Sequence, residues 1–416
     1  MTIRCHRPGW RTAATLMAAV LVLPAQAAPL TFAEALRLAE DNAPSLTARA
    51  ASTEAARYAA IPAGELPDPK LSLGVRNLPV ESDNAWKFDR EAMTMQAIGL
   101  TQEIPNSAKR QARSEVAEAG VALAEVSQRI ALLSVRQQAA EAWIAARAVE
   151  QKLELFKGLY HENRLFDRAV QARIAGGGGS TADSVVPKQE AALLAEQEDE
   201  LLRNRAVARA ALKRWIGAAS EQPLTGDWPA WRSEADWYRQ HLDHHPTLQA
   251  YNPLARQAEA RMQEAFADKR PDWAWGVEYG RREAFGDMVS VNVTFDLPVF
   301  TGSRQNPRIA AERARLAEVE AEREAAWRLH DQQLAADLAE RERLERSLAR
   351  LDETLIPLAE DKVRLALADY RGGRGSLSAV VEAREALLEN RLRRIDVARG
   401  HTLAGARLHF AFGADQ

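Results

Sequence analysis

Two periodicities alternate along this chain. Over Lys70-Leu71-Ser72-Leu73-Gly74-Val75-Arg76 polar and apolar residues strictly alternate, the pattern of a strand with one apolar face. A polar loop follows (Glu81 to Arg90), and Met93 to Ile104 is the expected partner strand, so a pair is placed at 69–79 and 92–104. From Asn106 the period changes to that of a helix. Up to about Ile174 there is no proline, and the only glycines are Gly120 and Gly158. At 1.5 Å per residue, roughly 70 residues span on the order of 100 Å, which calls for a coiled coil or a tube of stacked helices. The run reverses at Gly176-Gly177-Gly178-Gly179-Ser180, and a second helix returns from about Ala182 to Ile216, completing a hairpin over 106–216. A helix over Thr31 to Ala60 precedes the strands and ends at Pro62, Gly64, Pro67 and Pro69.

The same order returns in the second half. A helix is expected over Trp237 to Ala267, where His245-Pro246-Thr247-Leu248 echoes Ala43-Pro44-Ser45-Leu46. The segment Pro271 to Tyr279 echoes Pro69 to Asn77, and from 289 to 297 every odd position is apolar and every even one polar. A second strand pair is therefore placed at 272–281 and 288–298, with Pro298 matching Pro105. A long hairpin over 307–410 turns at Arg371-Gly372-Gly373-Arg374-Gly375-Ser376, with Pro357 expected to kink it. The chain reads as a first repeat, 28–220, and a second, 221–416. Four amphipathic strands cannot close a polar-lined barrel, so a membrane reading needs several chains. The strands alone fit a soluble sheet packed on helices equally well. The helices decide: Arg308 to Arg350 is dense in Arg and Glu with small residues between, suited to close helix approach in a periplasmic tube beneath an outer-membrane pore.

Composition narrows the classes. Of 416 residues, 46% are hydrophobic but only 6% aromatic, favouring alanine- and leucine-rich helix. The formal net charge of −3 gives no support to nucleic-acid binding. Cys5 is the one cysteine, which excludes a disulfide scaffold and thiolate metal sites within the chain. Arg4, Arg7 and Arg11, the apolar run Ala13 to Leu23, and Ala25-Gln26-Ala27 read as a signal peptide over 1–27. Cleavage after Ala27 removes Cys5, and with no following cysteine a lipid anchor is not expected. No later run approaches eighteen apolar residues, so membrane-spanning helices are not expected, whereas barrel strands escape that criterion.

Three segments carry a family likeness: Gly99-Leu100-Thr101-Gln102-Glu103-Ile104-Pro105, Phe295-Asp296-Leu297-Pro298-Val299-Phe300-Thr301-Gly302, and Tyr370 to Leu377 followed by Val380, Val381 and Ala383. In that order, across nearly the whole chain after the signal, they resemble the outer-membrane efflux protein family, the TolC-like channel proteins. The resemblance implies a mainly α fold with a transmembrane β portion: a homotrimer with a 12-stranded β-barrel, four strands per chain, continued by a long periplasmic α-helical barrel. It also implies a passive exit duct in the cell outer membrane with a periplasmic extension. Its partners would be a periplasmic adaptor (membrane fusion) protein, an inner-membrane efflux pump of the RND type, and outer-membrane lipid. Leu355-Ile356-Pro357-Leu358-Ala359-Glu360 and the overall length look more like the heavy-metal branch, the cobalt–zinc–cadmium and copper–silver components. A multidrug or type I secretion channel stays open, as does a periplasmic coiled-coil adaptor.

The reversal points are the candidate sites. Gly176, Gly177, Gly178, Gly179 and Ser180, with Arg371, Gly372, Gly373, Arg374, Gly375 and Ser376, supply the backbone freedom that helix reversal needs. By the resemblance these tips dock the adaptor. It also makes Asp183 and Glu382 candidates for acidic residues in the tunnel aperture, while Ala379 stands where a second acid often does. His241, His244 and His245 lie near Asp243, but Pro246 follows at once and no metal site is expected. No nucleophile–base set, phosphate-binding loop or cofactor motif is present to suggest an enzyme.

Overall fold

The computed structural model describes residues 29–231 and 234–413, so the expected signal at 1–27 lies outside the described residues. The first long helix forms as one piece: α3 runs Ser107–Ala175, 69 residues, started by Asn106, whose side chain accepts from the Lys109 amide at 3.0 Å. After the turn and a short 3-10 segment (Thr181–Val185), α4 returns over Val186–Ile216.

Prolines break what periodicity left continuous. The helix expected over Thr31 to Ala60 is two, α1 Phe32–Asn42 and α2 Pro44–Ala60, with Ala43 held extended at ψ 109°, because Pro44 disfavours a helical residue before it. In the second half of the chain the expected single helix divides around Pro246 into α5 Ala235–Gln240, α6 Pro246–Gln249 and α7 Tyr251–Ala267. The outgoing arm of the second hairpin is α8 Gln305–Arg350, a π-helical turn Leu351–Leu355, then α9 Ile356–Arg371. Pro357 stands two residues past the end of that turn. It lacks an N–H and its ring would crowd the carbonyl one turn back, and the widened turn relieves both. The last helix, α10, spans Leu377–Phe412.

Strands β1 Lys70–Arg76, β2 Met95–Ile104, β3 Trp273–Arg281 and β4 Met288–Phe295 form one antiparallel sheet in the order β1-β2-β3-β4. Pairing lines up Leu71, Leu100, Val277 and Val291 in one row, and Leu73, Ile98, Tyr279 and Val289 in the next. Every one of these side chains is at least 39% exposed. The opposite face carries small and polar residues, and its larger side chains lie over neighbouring glycines: a Cβ at Gly276 would sit 2.6 Å from Asn292 Oδ1. Glu278 pairs there with Arg76. A soluble sheet packed on helices would bury its apolar face. Here that face is bare.

Laying Pro69 on Pro271 carries Leu71 onto Trp273, and the two hairpin registers then carry Leu100 onto Phe295. On that superposition Pro105 falls on Phe300, whereas matching Pro105 with Pro298 carries Leu71 onto Trp275.

Below the sheet, Lys109 bridges Asp268 (2.9 Å) and Asp272 (2.8 Å), while the Asn106 amide donates to Asp272 at 2.8 Å. Burial alone would lower the Lys109 pKa, but hydrogen bonds to Asp272 and Asp268 hold it above the usual lysine value. At mid-height Trp143, fully buried, packs edge-on against Phe32 at 5.4 Å within a core that includes Leu30, Ile144, Leu212 and Phe410. Apolar burial there knits the start of the chain, α3, α4 and α10 together.

Candidate functional site

Both hairpins reverse by the same backbone device. In the first tip Gly177 has φ +77°, its amide donates to Ile174 O (3.0 Å), and the Gly178 amide donates to Arg173 O (3.0 Å). In the second tip Gly373 also has φ +77°, its amide donates to Tyr370 O (3.2 Å), and the Arg374 amide donates to Asp369 O (2.9 Å). These are Schellman caps, and the left-handed residue in each is the glycine that has no Cβ to clash. Ser180 and Ser376 then cap the next helical segments, accepting from the Ala182 amide at 3.2 Å and the Ala379 amide at 3.3 Å. Gly176, Gly178 and Gly179 complete the first turn, and Arg371, Gly372 and Gly375 the second, all at the solvent-facing end of the hairpins. Arg374 folds back toward Asp369 of its own turn at 3.4 Å.

The candidate acids are not equivalent. The offset that carries Gly177 onto Gly373 and Ser180 onto Ser376 carries Asp183 onto Ala379, and Glu382 onto Val186. Asp183 is engaged in a capping box, accepting from the Ser180 amide at 3.1 Å. Glu382 is exposed on α10, with no ion pair or hydrogen bond among the described residues. The structure does not pair the two.

What sequence reading missed is how the tips are tied together. Phe166 and Val170 of α3, Tyr370 of α9, and Leu377 and Val380 of α10 form one buried cluster beneath both turns. The Arg173 guanidinium lies 4.0 Å from the Tyr370 ring centroid, while its Nε donates to Gly178 O at 2.8 Å. Arg173 thus holds its own turn and the other hairpin at once. Burial, reinforced by the Asp183 charge and opposed by Arg173, pushes the Tyr370 phenol above its ordinary pKa. A little above, Arg384 of α10 pairs with Glu190 of α4 at 2.9 Å, 10% and 16% exposed, and covers the Phe166 ring at 5.1 Å. Apolar residues within two turns before each glycine run, Val170 and Tyr370, were the available signal. Nothing local marks Arg173 or Arg384 among so many arginines.

The histidines serve packing. His241 stacks on Trp237 at 4.3 Å and His245 on His330 at 4.0 Å. Burial, with a smaller contribution from His330, lowers His245 to a pKa of about 4. Among the described residues no group of three or more His, Cys, Asp or Glu is placed to hold a metal. No helix among the described residues is long and apolar enough to cross a membrane.

This architecture has known counterparts. Residues 237–414 match the family model described as outer membrane efflux protein. A membrane protein from Pseudomonas aeruginosa has the same fold, with TM-score 0.78, 18% identity and coverage of 99% of both chains. The outer membrane protein VceC of Vibrio cholerae matches with TM-score 0.74 and 18% identity, over 92% of this chain and 96% of its own. CusC, whose structures describe transmembrane channel formation, matches with TM-score 0.78 and 14% identity, over 97% and 98%. No curated protein sequence is significantly similar to the chain. The fold is therefore that of the TolC-like channels, a small sheet continued by long helical hairpins.

Proposed function

We propose that the whole chain, not the second repeat alone, is an outer-membrane efflux channel: a homotrimer whose three sheets close a 12-stranded barrel above a periplasmic helical tunnel. One observation carries this reading. The sheet exposes a continuous apolar face and leaves both edge strands unpaired, while helices as long as 69 residues run away from it. Such a face is stable against lipid, and such edges are stable only when paired. The glycine tips, far from the sheet, are the docking ends for a periplasmic adaptor and its inner-membrane pump of the RND type. The duct performs no bond chemistry.

For cargo, we propose heavy-metal cations. The support is the heavy-metal-like Leu355 to Glu360 segment and the free carboxylate Glu382 beside a tip, which in a threefold ring would concentrate cations. The expected behaviour is a trimer in the outer-membrane fraction that conducts ions in planar bilayers, with Glu382→Gln lowering the cation-to-anion permeability ratio. Deleting the gene should sensitise cells to zinc, cobalt, cadmium, copper or silver. Sensitisation to drugs alone would leave the duct standing and reverse the cargo. A soluble periplasmic monomer would end both.

A further inference from the structure

We infer that the ring closes between chains by repeating the register of its own β2–β3 seam, so that Phe295 of one copy pairs with Val75 of the next. This rests on the trimeric reading above and adds which residues meet.

The internal duplication makes the argument. Each chain holds one seam between its repeats, β2 against β3, with Ile104 opposite Trp273, Gln102 opposite Trp275 and Leu100 opposite Val277. A closed ring of copies needs a second seam, β4 against the next copy's β1. With Pro69 laid on Pro271, the hairpin registers superpose the repeats: β1 maps onto β3 with Leu71 on Trp273, and β2 onto β4 with Leu100 on Phe295. Applying both maps to the β2–β3 seam gives Phe295 opposite Val75, Leu297 opposite Leu73, and Val299 opposite Leu71. Every pair is apolar and falls on the lipid face.

Independent features agree. Leu297 and Val299, beyond the end of β4, are each 70% exposed, and Leu71 and Leu73 are 64% and 72% exposed. The Asp296 amide donates to Asp272 O at 2.8 Å, so even positions of β4 turn toward β3 and odd positions toward the open edge. Pro298 therefore lacks its N–H on the β3 side and does not block the free edge. The superposition also places Val277 four residues beyond the counterpart of Leu71 after two strands. A stagger that large tilts strands steeply and widens a barrel, as an open duct requires.

A cysteine walk tests this, since Cys5 is the chain's one cysteine and lies in the expected signal. The full chain carries Cys5→Ser and Asp296→Cys, combined in turn with Gly74→Cys, Ser72→Cys or Lys70→Cys. Gly74 has open space for the new side chain. Strands β1 and β4 are opposite edges of one sheet, roughly 14 Å apart within a chain, so a disulfide must join copies. The inferred register predicts that Gly74→Cys yields a covalent trimer under mild oxidation while Lys70→Cys stays monomeric under denaturation. Phe295→Cys with Val75→Cys reports the same register from the lipid face. Linkage favouring Ser72→Cys or Lys70→Cys overturns the register and leaves the ring. A trimer that links in no pair overturns edge-to-edge closure. Protein that never forms a trimer overturns the channel reading itself.

Discussion

The two tips have the same backbone and different chemistry. Gly177 and Gly373 adopt the same φ of +77°, and Ser180 and Ser376 cap the following segments. Yet the first tip adds a capping carboxylate, Asp183, where the second has Ala379, and the second leaves Glu382 free where the first has Val186. Reversal of a helix constrains the backbone identically in both hairpins. The side chains around it are not so constrained, and they differ.

The largest expected effect breaks both tips together. Arg384→Ala leaves Glu190 buried without its partner and should cost the tip region about 3–5 kcal/mol. Hydrogen exchange along α4 and α9 should accelerate, whereas a change confined to α10 would show that the two tips are energetically separate.

Acid should separate the tips from mid-height. Burial keeps His245 neutral when folded, with a pKa of about 4 against 6.5 unfolded. Its stabilisation is therefore full above pH 6.5 and is lost as pH falls toward 4, on the order of 3 kcal/mol in all. Thermal unfolding followed from pH 7 to 4 should show this slope, and His245→Leu should flatten it. An unchanged slope in that variant would move the titrating group elsewhere.

The shared backbone predicts equal costs. Gly177→Ala and Gly373→Ala each place a Cβ at positive φ and should each lose about 1–2 kcal/mol. Limited proteolysis at the turns would read both, and a clear inequality would mean that one turn relaxes in the free protein.

The smallest effects should separate the tips. Asp183→Asn weakens a capping box and should cost roughly 0.5–1 kcal/mol, whereas Glu382→Gln, lacking a partner, should leave stability unchanged. Equal losses would mean that Glu382 is engaged within the folded chain.

Much of this architecture was readable in the chain. Alternation from Lys70 and from Met288 marked strands, and the proline-free run after Asn106 marked a helix of nearly the observed length. Glycine runs marked both tips because only glycine tolerates the left-handed turn. The breaks at Ala43 and around Pro246 were less legible, since periodicity continues across them and only a proline interrupts the backbone. At the tips the turns were legible and their ties were not. Arg173 over Tyr370 and Arg384 against Glu190 join residues about two hundred positions apart, and local pattern does not carry such contacts.

By itself, then, the sequence determined where the chain extends, where it coils and where it reverses, because each depends on neighbours within a turn or a pleat. Only the tertiary structure decided which strand lies beside which and that the apolar face stays bare. Register is a relation between distant segments, and alternation of period two is satisfied equally well two residues either way. The fold chose among those equal patterns by fixing the backbone hydrogen bonds.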